Sequence, residues 1–485
     1  MAVRPALRLR LRRVPGPGRG LEQFLTTPLV RQVHEMTHNP ATTPAQNPPR
    51  TPIARVVTAS LIGTTIEWYD FFLYGSAAAL VFNTLFFPAA DPVTGTLLAL
   101  ATFAIGFVAR PVGGLVFGHY GDRLGRKKLL VLSLLLMGGS TVAMGLLPTY
   151  ATIGVAAPLL LTLLRLVQGF ALGGEWGGAV LIVSEHGDAH RRGFWAAWPQ
   201  AGAPGGNLLA TAVLALLAAV QPEADFLAWG WRIPFLLSGA LVLIGLWIRI
   251  NIAETPAFQA AAEAARHRPE PERAPIVEVL RTQWRQVLIA MGARLGENIS
   301  YYVITSFILV YLTQSLELPK QVALNAVLIG SLVQFFALPL FGALSDRFGR
   351  RRVYALGALG MAGWVFAFFA LLDTRSPLAI VVATTVALVL HAAMYGPQAA
   401  FFSELFSTRV RYSGASVGYQ LASILAGGLA PLIATALLGA FDSSVPVSLY
   451  VAGGALLTVV ALTASAETRG RALSSPRPAD EPAVS

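Results

Sequence analysis

The sequence predicts an all-α membrane protein, with twelve transmembrane helices in two pseudo-symmetric six-helix bundles. Three observations lead there. Of the 485 residues, 55% are hydrophobic and 13% charged, and the mean hydropathy is +0.60. A chain so poor in charge cannot cover a soluble surface, so the bilayer must be part of its solvent. Second, the apolar residues gather into twelve stretches, each close to or above the roughly 20 residues that cross the hydrocarbon. Third, the basic turn Gly118-His-Tyr-Gly-Asp122-Arg123-Leu-Gly125-Arg126-Lys127-Lys128 returns 224 residues later as Gly342-Ala-Leu-Ser-Asp346-Arg347-Phe-Gly349-Arg350-Arg351-Arg352. A turn repeated half a chain away implies two related bundles.

In chain order, the first stretch covers about 56–87 and the fourth about 152–184. Both exceed a straight crossing, so part of each is expected to project beyond the hydrocarbon. The second, about 94–119, runs into the first basic turn, and the third, about 129–148, leaves it. The fifth, about 194–220, holds Gly202-Ala-Pro204-Gly205-Gly206, small and bending residues suited to close helix approach. The sixth, about 233–250, completes a first bundle at 53–250. A polar, Pro-rich linker follows at 251–285, with a short surface helix expected at Ala257–Arg266. The second bundle, 286–466, repeats the order at about 286–313, 321–344, 353–372, 376–402, 412–438 and 446–466. Residues 467–485 read as a polar tail.

Charge alternates from loop to loop. Arg123, Arg126, Lys127, Lys128, Arg191, Arg192, Arg266, Arg268, Arg273, Arg281, the run Arg347 to Arg352, Arg409 and Arg411 fall on one side. Asp91, Glu223, Asp225, Glu317, Asp373 and Asp442 fall on the other. The positive-inside rule then puts both termini in the cytoplasm of an inner-membrane protein. The net charge of +11 is topology, and no nucleic-acid partner is expected. Residues 1–52 make a basic, Pro/Thr-rich tail; residues 1–55 hold nine arginines against two glutamates. Two readings stay open: a basic tail near anionic headgroups, or translation from Met36, which mass spectrometry of the native N-terminus decides. No apolar run precedes residue 56, so a cleaved signal peptide is not expected. The absence of cysteine excludes disulfides and thiolate chemistry. Lys127, Lys128 and Lys320 are the lysines, none followed by Ser or Thr, so no phosphate loop exists and ion gradients must supply the energy. The seven histidines are scattered, with no nucleophile–base pair or metal cluster; neither an enzyme nor a cofactor is expected.

A second match extends the duplication. Ser184-Glu185 with Arg191-Arg192-Gly193 parallels Ser403-Glu404 with Arg409, Arg411 and Gly414, 219 residues on. Span 1 reads Thr65-Ile-Glu67-Trp68-Tyr69-Asp70-Phe71-Phe72-Leu73-Tyr74-Gly75, and span 2 Ala109-Arg110-Pro111-Val-Gly-Gly114. Span 4 reads Arg165-Leu-Val-Gln168-Gly169-Phe-Ala-Leu-Gly173-Gly174-Glu175, and span 7 Arg294-Leu-Gly-Glu297-Asn298. On these motifs the chain resembles the major facilitator superfamily over roughly 55–466, and more narrowly its metabolite:proton symporter family. The resemblance implies that fold, alternating access, and a cargo in the range of shikimate, α-ketoglutarate, citrate, proline or betaine. The long basic N-terminal extension departs from the family.

Ionisable groups near helix centres cost at least about 2.5–3.5 kcal/mol each, so they are kept for pairing or function. Glu67 and Asp70 lie three residues apart, with Tyr74 a turn further on the same face. Two carboxylates so close do not both ionise easily, and a carboxyl that exchanges a proton is what a coupled carrier needs. The alternative is a fixed pair with an arginine across the bundle. Arg165, Gln168, Leu172 and Glu175 form one stripe of span 4, Glu175 being a third candidate coupling acid. The guanidinium of Arg165 wants a carboxylate, from Glu67, from Asp70 or from the substrate. Span 7 adds Arg294, Glu297, Asn298 and Tyr301 as substrate-binding candidates; span 10 adds His391, Tyr395 and Gln398. His391 reads either as a proton relay or as a hydrogen-bonded structural histidine. At the basic end, Asp122, Arg123, Arg126 and Glu185, with Asp346, Arg347, Arg350 and Glu404, are expected to form latches of ion pairs. Glu185 is matched to Arg123 or Arg126, and Glu404 to Arg347 or Arg350.

The reading that unites these features is a monomeric secondary transporter importing a small organic acid or zwitterionic metabolite with protons. An antiporter exporting a drug or metabolite is the rival of the same fold, favoured by the span 5 glycines. A non-transporting membrane sensor is the rival of another class.

Overall fold

The structure, a computed structural model, describes residues 53–124, 126–173, 183–184, 188–251, 275–407 and 410–471. The tail 1–52 with Met36, the helix expected at Ala257–Arg266, and Glu175, Glu185 and Arg409 lie outside the described residues. So do the side chains of Asp122, Arg123, Arg126, Lys127 and Lys128.

Helix α1, Ile53–Ala77, continues through a π turn at Ala78–Phe82 into Asn83–Phe86. Helices α2, Pro92–Leu124, and α3, Arg126–Leu146, flank the first basic turn. A single turn, Tyr150–Ile153, ends at Gly154, whose φ of 58° turns the chain into α4, Ala156–Leu172. Helix α5 is Arg192–Val220, and α6, Arg232–Asn251, follows Glu223–Gly230 at a 44° bend. A short helix, Pro275–Thr282, leads into α7, Trp284–Tyr302, which runs on through π turns at Val303–Phe307 and Tyr311–Ser315. Then come α8, Lys320–Phe348, α9, Arg350–Asp373, and α10, Pro377–Leu405. Helix α11 joins Arg411–Ala422 to Ala430–Phe441 through a π turn at Ser423–Gly428, and α12 is Val445–Thr463.

Among the described residues, eight helices are long and apolar enough to cross a membrane unaided, and the bent pair before and within α6 makes a ninth. Val131–Leu146 and Ala156–Leu172 are shorter apolar helices. With α1, which carries Glu67 and Asp70, the total is twelve. The fourth span is interrupted at Gly154 and is described as helix over Ala156–Leu172; the rest of the expected 152–184, from 174 to 182, lies outside the described residues. The first stays helical from Ile53 through Phe86, longer than a straight crossing, with a π turn at Ala78–Phe82.

The packing repeats after six helices. In the first half α1 meets α5 and α6, α2 meets α4, and α3 meets α4 and α6. In the second half α7 meets α11 and α12, α8 meets α10, and α9 meets α10 and α12, the same scheme moved on by six. The halves touch along α5 with α8 and along α2 with α11, a pair that also maps onto itself under that shift. Even the π turns repeat: those in α1 and α7 begin at Ala78 and Val303, 225 positions apart.

Glycine permits the closest crossings. A Cβ on Gly206 would stand 2.5 Å from the Tyr69 nitrogen and 2.6 Å from the Trp68 carbonyl carbon, so α5 lies on the backbone of α1. Gly106, Gly113, Gly169 and Gly173 play the same part between α2 and α4, each facing backbone of the other helix or the Arg165 side chain. The glycines of span 5 are therefore accounted for by close packing: Gly202 and Gly206 face α1 of the same half, and Gly205 faces Thr65 of α1 and Phe335 of α8 in the other half.

Candidate functional site

Along α1, Trp68, Phe71 and Phe72 form a mostly edge-to-face aromatic cluster with Phe103 and Phe107 of α2, and this cluster meets Tyr301 and Tyr302 of α7. The Phe72 and Tyr301 rings are 5.4 Å apart and the Phe107 and Tyr302 rings 5.5 Å. Aromatic rings thus fill the middle of the contact between the halves.

Two arginines are set into this cluster. Arg165 of α4 lies 4.4 Å from the Phe71 ring centre and 4.3 Å from that of Tyr74, and Arg110 of α2 lies 4.4 Å from Phe71 and 4.2 Å from Phe107. Ring faces attract cations, by about 2 kcal/mol or more where water is absent. Arg165 is fully buried and hydrogen-bonds Gln168, which donates to Thr141 at 2.8 Å. Gly106 makes the room for it: a Cβ there would stand 2.6 Å from Nε of Arg165. Neither Arg110 nor Arg165 has an ion pair among the described residues, and Nε and Nη2 of both are buried without a hydrogen-bond partner. The carboxylate expected for Arg165 is thus supplied by neither Glu67 nor Asp70. Both acids are buried on α1. The Asp70 carboxylate lies beside Ser238 and Thr141, out of hydrogen-bond geometry with either. Tyr74 bonds Thr102 at 2.6 Å.

The second half holds a different arrangement. Arg294 pairs with Glu297 at 3.0 Å and donates to Gln398 at 2.9 Å, and its guanidinium lies 3.3 Å from the Tyr419 ring centre. Glu297 faces His391 Nε2 at 2.9 Å, and Gln334 meets His391 Nδ1 at 2.6 Å. Gln398 also donates to Glu297 at 3.1 Å and to Tyr354 at 2.6 Å. Ser423 gathers Arg294 and Asn298, while Tyr301 and Tyr395 stack on His391. Every span 7 and span 10 candidate thus belongs to one cluster, in which Arg294 and Glu297 neutralise each other while the Tyr301 hydroxyl and Oε1 of Gln334 are buried without a hydrogen-bond partner. The helical stripes lead to the span 7 and span 10 members; Gln334, Tyr354, Tyr419 and Ser423 arrive on other helices, and nothing in their local sequence marks them.

At the basic end, Asp346 accepts from the backbone amides of Gly193 and Phe194, at 2.8 and 2.9 Å, capping α5 of the other half. Arg350 pairs with Asp346 at 2.6 Å and with Glu404 at 3.3 Å, and Arg192 of the first half pairs with Glu404 at 2.9 Å. Glu404 thus takes Arg350 and Arg192. Arg347, expected as an alternative partner, makes no ion pair among the described residues and lies against Phe348. The segment after α12, read from the sequence as tail, joins in. Glu467 accepts from the Arg350 amide at 2.9 Å, Thr468 donates to Glu404 at 2.8 Å, and the Arg471 carbonyl accepts from Arg192 at 3.0 Å. At the opposite end Lys320 pairs with Glu223 at 2.5 Å and Gln314 bonds Thr96 at 2.9 Å, each across the halves.

Known proteins share this architecture and sequence. The Sugar (and other) transporter family matches residues 56–476. The shikimate transporter of Escherichia coli K12 is 42% identical over 414 residues, 84% of this chain and 93% of that one. The proline/betaine transporter of Salmonella typhimurium LT2 is 34% identical over 435 residues, 88% of this chain and 86% of that one. The solved proton:xylose symporter XylE of the major facilitator superfamily, bound to 6-bromo-6-deoxy-D-glucose, matches with a TM-score of 0.69 at 18% identity, covering 87% of this chain and 97% of that one. At that identity the likeness speaks for the fold alone. The relatives are named transporters, and nothing among them points to an enzyme. The chain belongs to the sugar (and other) transporter family, shares the fold of the major facilitator superfamily, and is a multi-pass membrane transporter of small molecules.

Proposed function

We propose that the chain imports a small metabolite bearing a carboxylate together with protons, by alternating access between its halves. The observation that carries this reading is the pair of buried guanidiniums, Arg110 and Arg165, without an ion pair among the described residues and set on aromatic faces at the contact between the halves. A buried charge left without a counter-ion costs several kcal/mol, and a carboxylate ligand offsets that cost when it binds. Shikimate, proline and betaine, the cargoes in the relatives' names, all carry that group. Proton exchange at a buried carboxyl fits Asp70, whose oxygens have neither a hydrogen bond nor an ion pair among the described residues. Glu67, three residues before it, is the second acid of the same helix face.

The basic end is read as cytoplasmic in an inner membrane. The cluster of Asp346, Arg350, Glu404 and Arg192 holds that end shut, and the cycle requires it to open for release. Uptake by reconstituted proteoliposomes tests the whole reading, with shikimate, dicarboxylates, aromatic acids and betaines as cargo. Accumulation is expected to follow an inward proton gradient and to collapse with a protonophore. Flux indifferent to the gradient would remove the symport claim, and uptake of neutral sugars alone would remove the carboxylate.

A further inference from the structure

A cavity of about 460 Å³ opens at the basic end between α9 and α12, away from the contact between the halves. Arg351, Arg352 and Arg469 line it, with Phe348 and Leu462 as its apolar wall. Glu467 is its one carboxylate, and both oxygens are already committed to backbone amides. Oε1 accepts from Arg350, Thr468 and Arg469 at 2.9, 2.9 and 3.0 Å, and Oε2 from Arg351 at 3.2 Å. The three guanidiniums have no ion pair among the described residues. Arg469 donates to the Arg347 carbonyl and Arg351 to that of Thr463; neither bond neutralises charge.

The position fixes the kind of anion. Arg351 and Arg352 stand in the first turn of a membrane-crossing helix, where hydrocarbon gives way to headgroups. Directly along the same two helices, Leu356 and Leu359 of α9 and Leu456, Leu457 and Val460 of α12 are 48–68% exposed, an apolar surface that only acyl chains can cover. Positive charge without an ion pair among the described residues, at the head of an exposed apolar surface, matches one molecule at both ends. We propose that this cavity binds an anionic phospholipid, its phosphate held by Arg351, Arg352 and Arg469 and its chains laid along α9 and α12. Basic pockets between transmembrane helices recognise acidic headgroups in this way. The occupant would sit against Glu467, whose segment closes the basic-end cluster, so the lipid would favour the shut conformation. The site is independent of the cargo.

Native mass spectrometry of the whole purified protein tests it, with phosphatidylglycerol and phosphatidylcholine added in turn. Wild type is expected to retain phosphatidylglycerol, and Arg351→Gln with Arg352→Gln to bind it about tenfold more weakly, with phosphatidylcholine unaffected. Arg281→Gln with Arg285→Gln, two exposed arginines of the same end outside the cavity, is expected to leave binding unchanged. Equal retention by the cavity variant would overturn the proposal, as would an equal loss in the Arg281/Arg285 variant, which would reduce the effect to general surface charge. Displacement of the lipid by millimolar inorganic phosphate would assign the cavity to free phosphate and remove the lipid. If the double variant unfolds, Arg352→Gln alone, an exposed side chain with no hydrogen bond among the described residues, carries the same comparison.

Discussion

Arg165 is the side chain on which the cargo reading turns, because it is a buried charge with no ion pair among the described residues. Lysine at that place would keep the charge and lose the planar fork and the ring stacking on Phe71 and Tyr74. Arg165→Lys is therefore expected to raise the apparent KM for a carboxylate cargo by about tenfold or more, in line with losing a charged hydrogen bond of roughly 1.5–3 kcal/mol. Unchanged affinity in an uptake assay would make Arg165 structural. Asp70→Asn is expected to abolish proton-driven accumulation while sparing substrate exchange across the membrane, since asparagine fills the same space and cannot take up a proton. Full accumulation by that variant would move the coupling to another acid. Sequence reasoning found Arg165, Asp70 and the whole Arg294–Glu297–His391–Gln398 cluster, because an ionisable residue in an apolar stretch announces itself. It left Arg110 inside a family motif, although the same rule applied to it. It left the carboxylate for Arg165 open between Glu67, Asp70 and the substrate, since spacing along one helix says which residues share a face and nothing about reach between helices. Position 334, 224 residues after Arg110, is a glutamine that bonds His391. The duplicated halves have thus divided their chemistry, one keeping bare cations and the other a neutralised network.

Helix contacts explain why such chemistry can be held at all. Where α5 crosses α1, Gly206 faces backbone that cannot move aside, so any side chain forces the helices apart. Gly206→Ala is expected to lower the thermal unfolding midpoint in detergent, at an overpacking cost of about 1–3 kcal/mol. Gly63→Ala on α1 is the contrast: a Cβ there meets nothing within 4 Å, and alanine is the better helix former by up to about 1 kcal/mol. A variant pair that shifts equally would show that the midpoint does not read helix packing. The spans were legible because apolar runs bounded by charged turns are long and unmistakable. The π turns at Ala78–Phe82, Val303–Phe307 and Ser423–Gly428 were not, since one extra residue per turn leaves composition and periodicity almost unchanged. The pairing of α2 with α11 and of α5 with α8 was equally hidden, being a property of how the halves dock.

For the whole molecule, the two ends are closed by ion pairs of very different worth, and that difference predicts which way the carrier leans. Glu404 is buried between Arg350 and Arg192, with Thr468 and Nε of Arg350 both donating to its second oxygen. Removing one partner of a buried pair costs about 3–5 kcal/mol, because the cations it leaves behind stay desolvated. The opposite pair, Lys320 with Glu223, has its carboxylate 66% exposed, and such a surface pair is worth at most about 1 kcal/mol. Glu404→Gln is thus expected to move the population strongly toward a conformation open at the basic end, by a factor of one hundred or more for about 3 kcal/mol. Lys320→Gln is expected to shift it the other way by a factor of about five at most. Spin labels on introduced cysteine pairs spanning each end can read both, since the chain has no cysteine of its own. A Glu404→Gln distance distribution that matches wild type would mean the basic-end cluster sets topology only. The carrier's alternation would then be governed by the aromatic contact of Phe72 with Tyr301 and of Phe107 with Tyr302, which the arginines and the cargo meet directly.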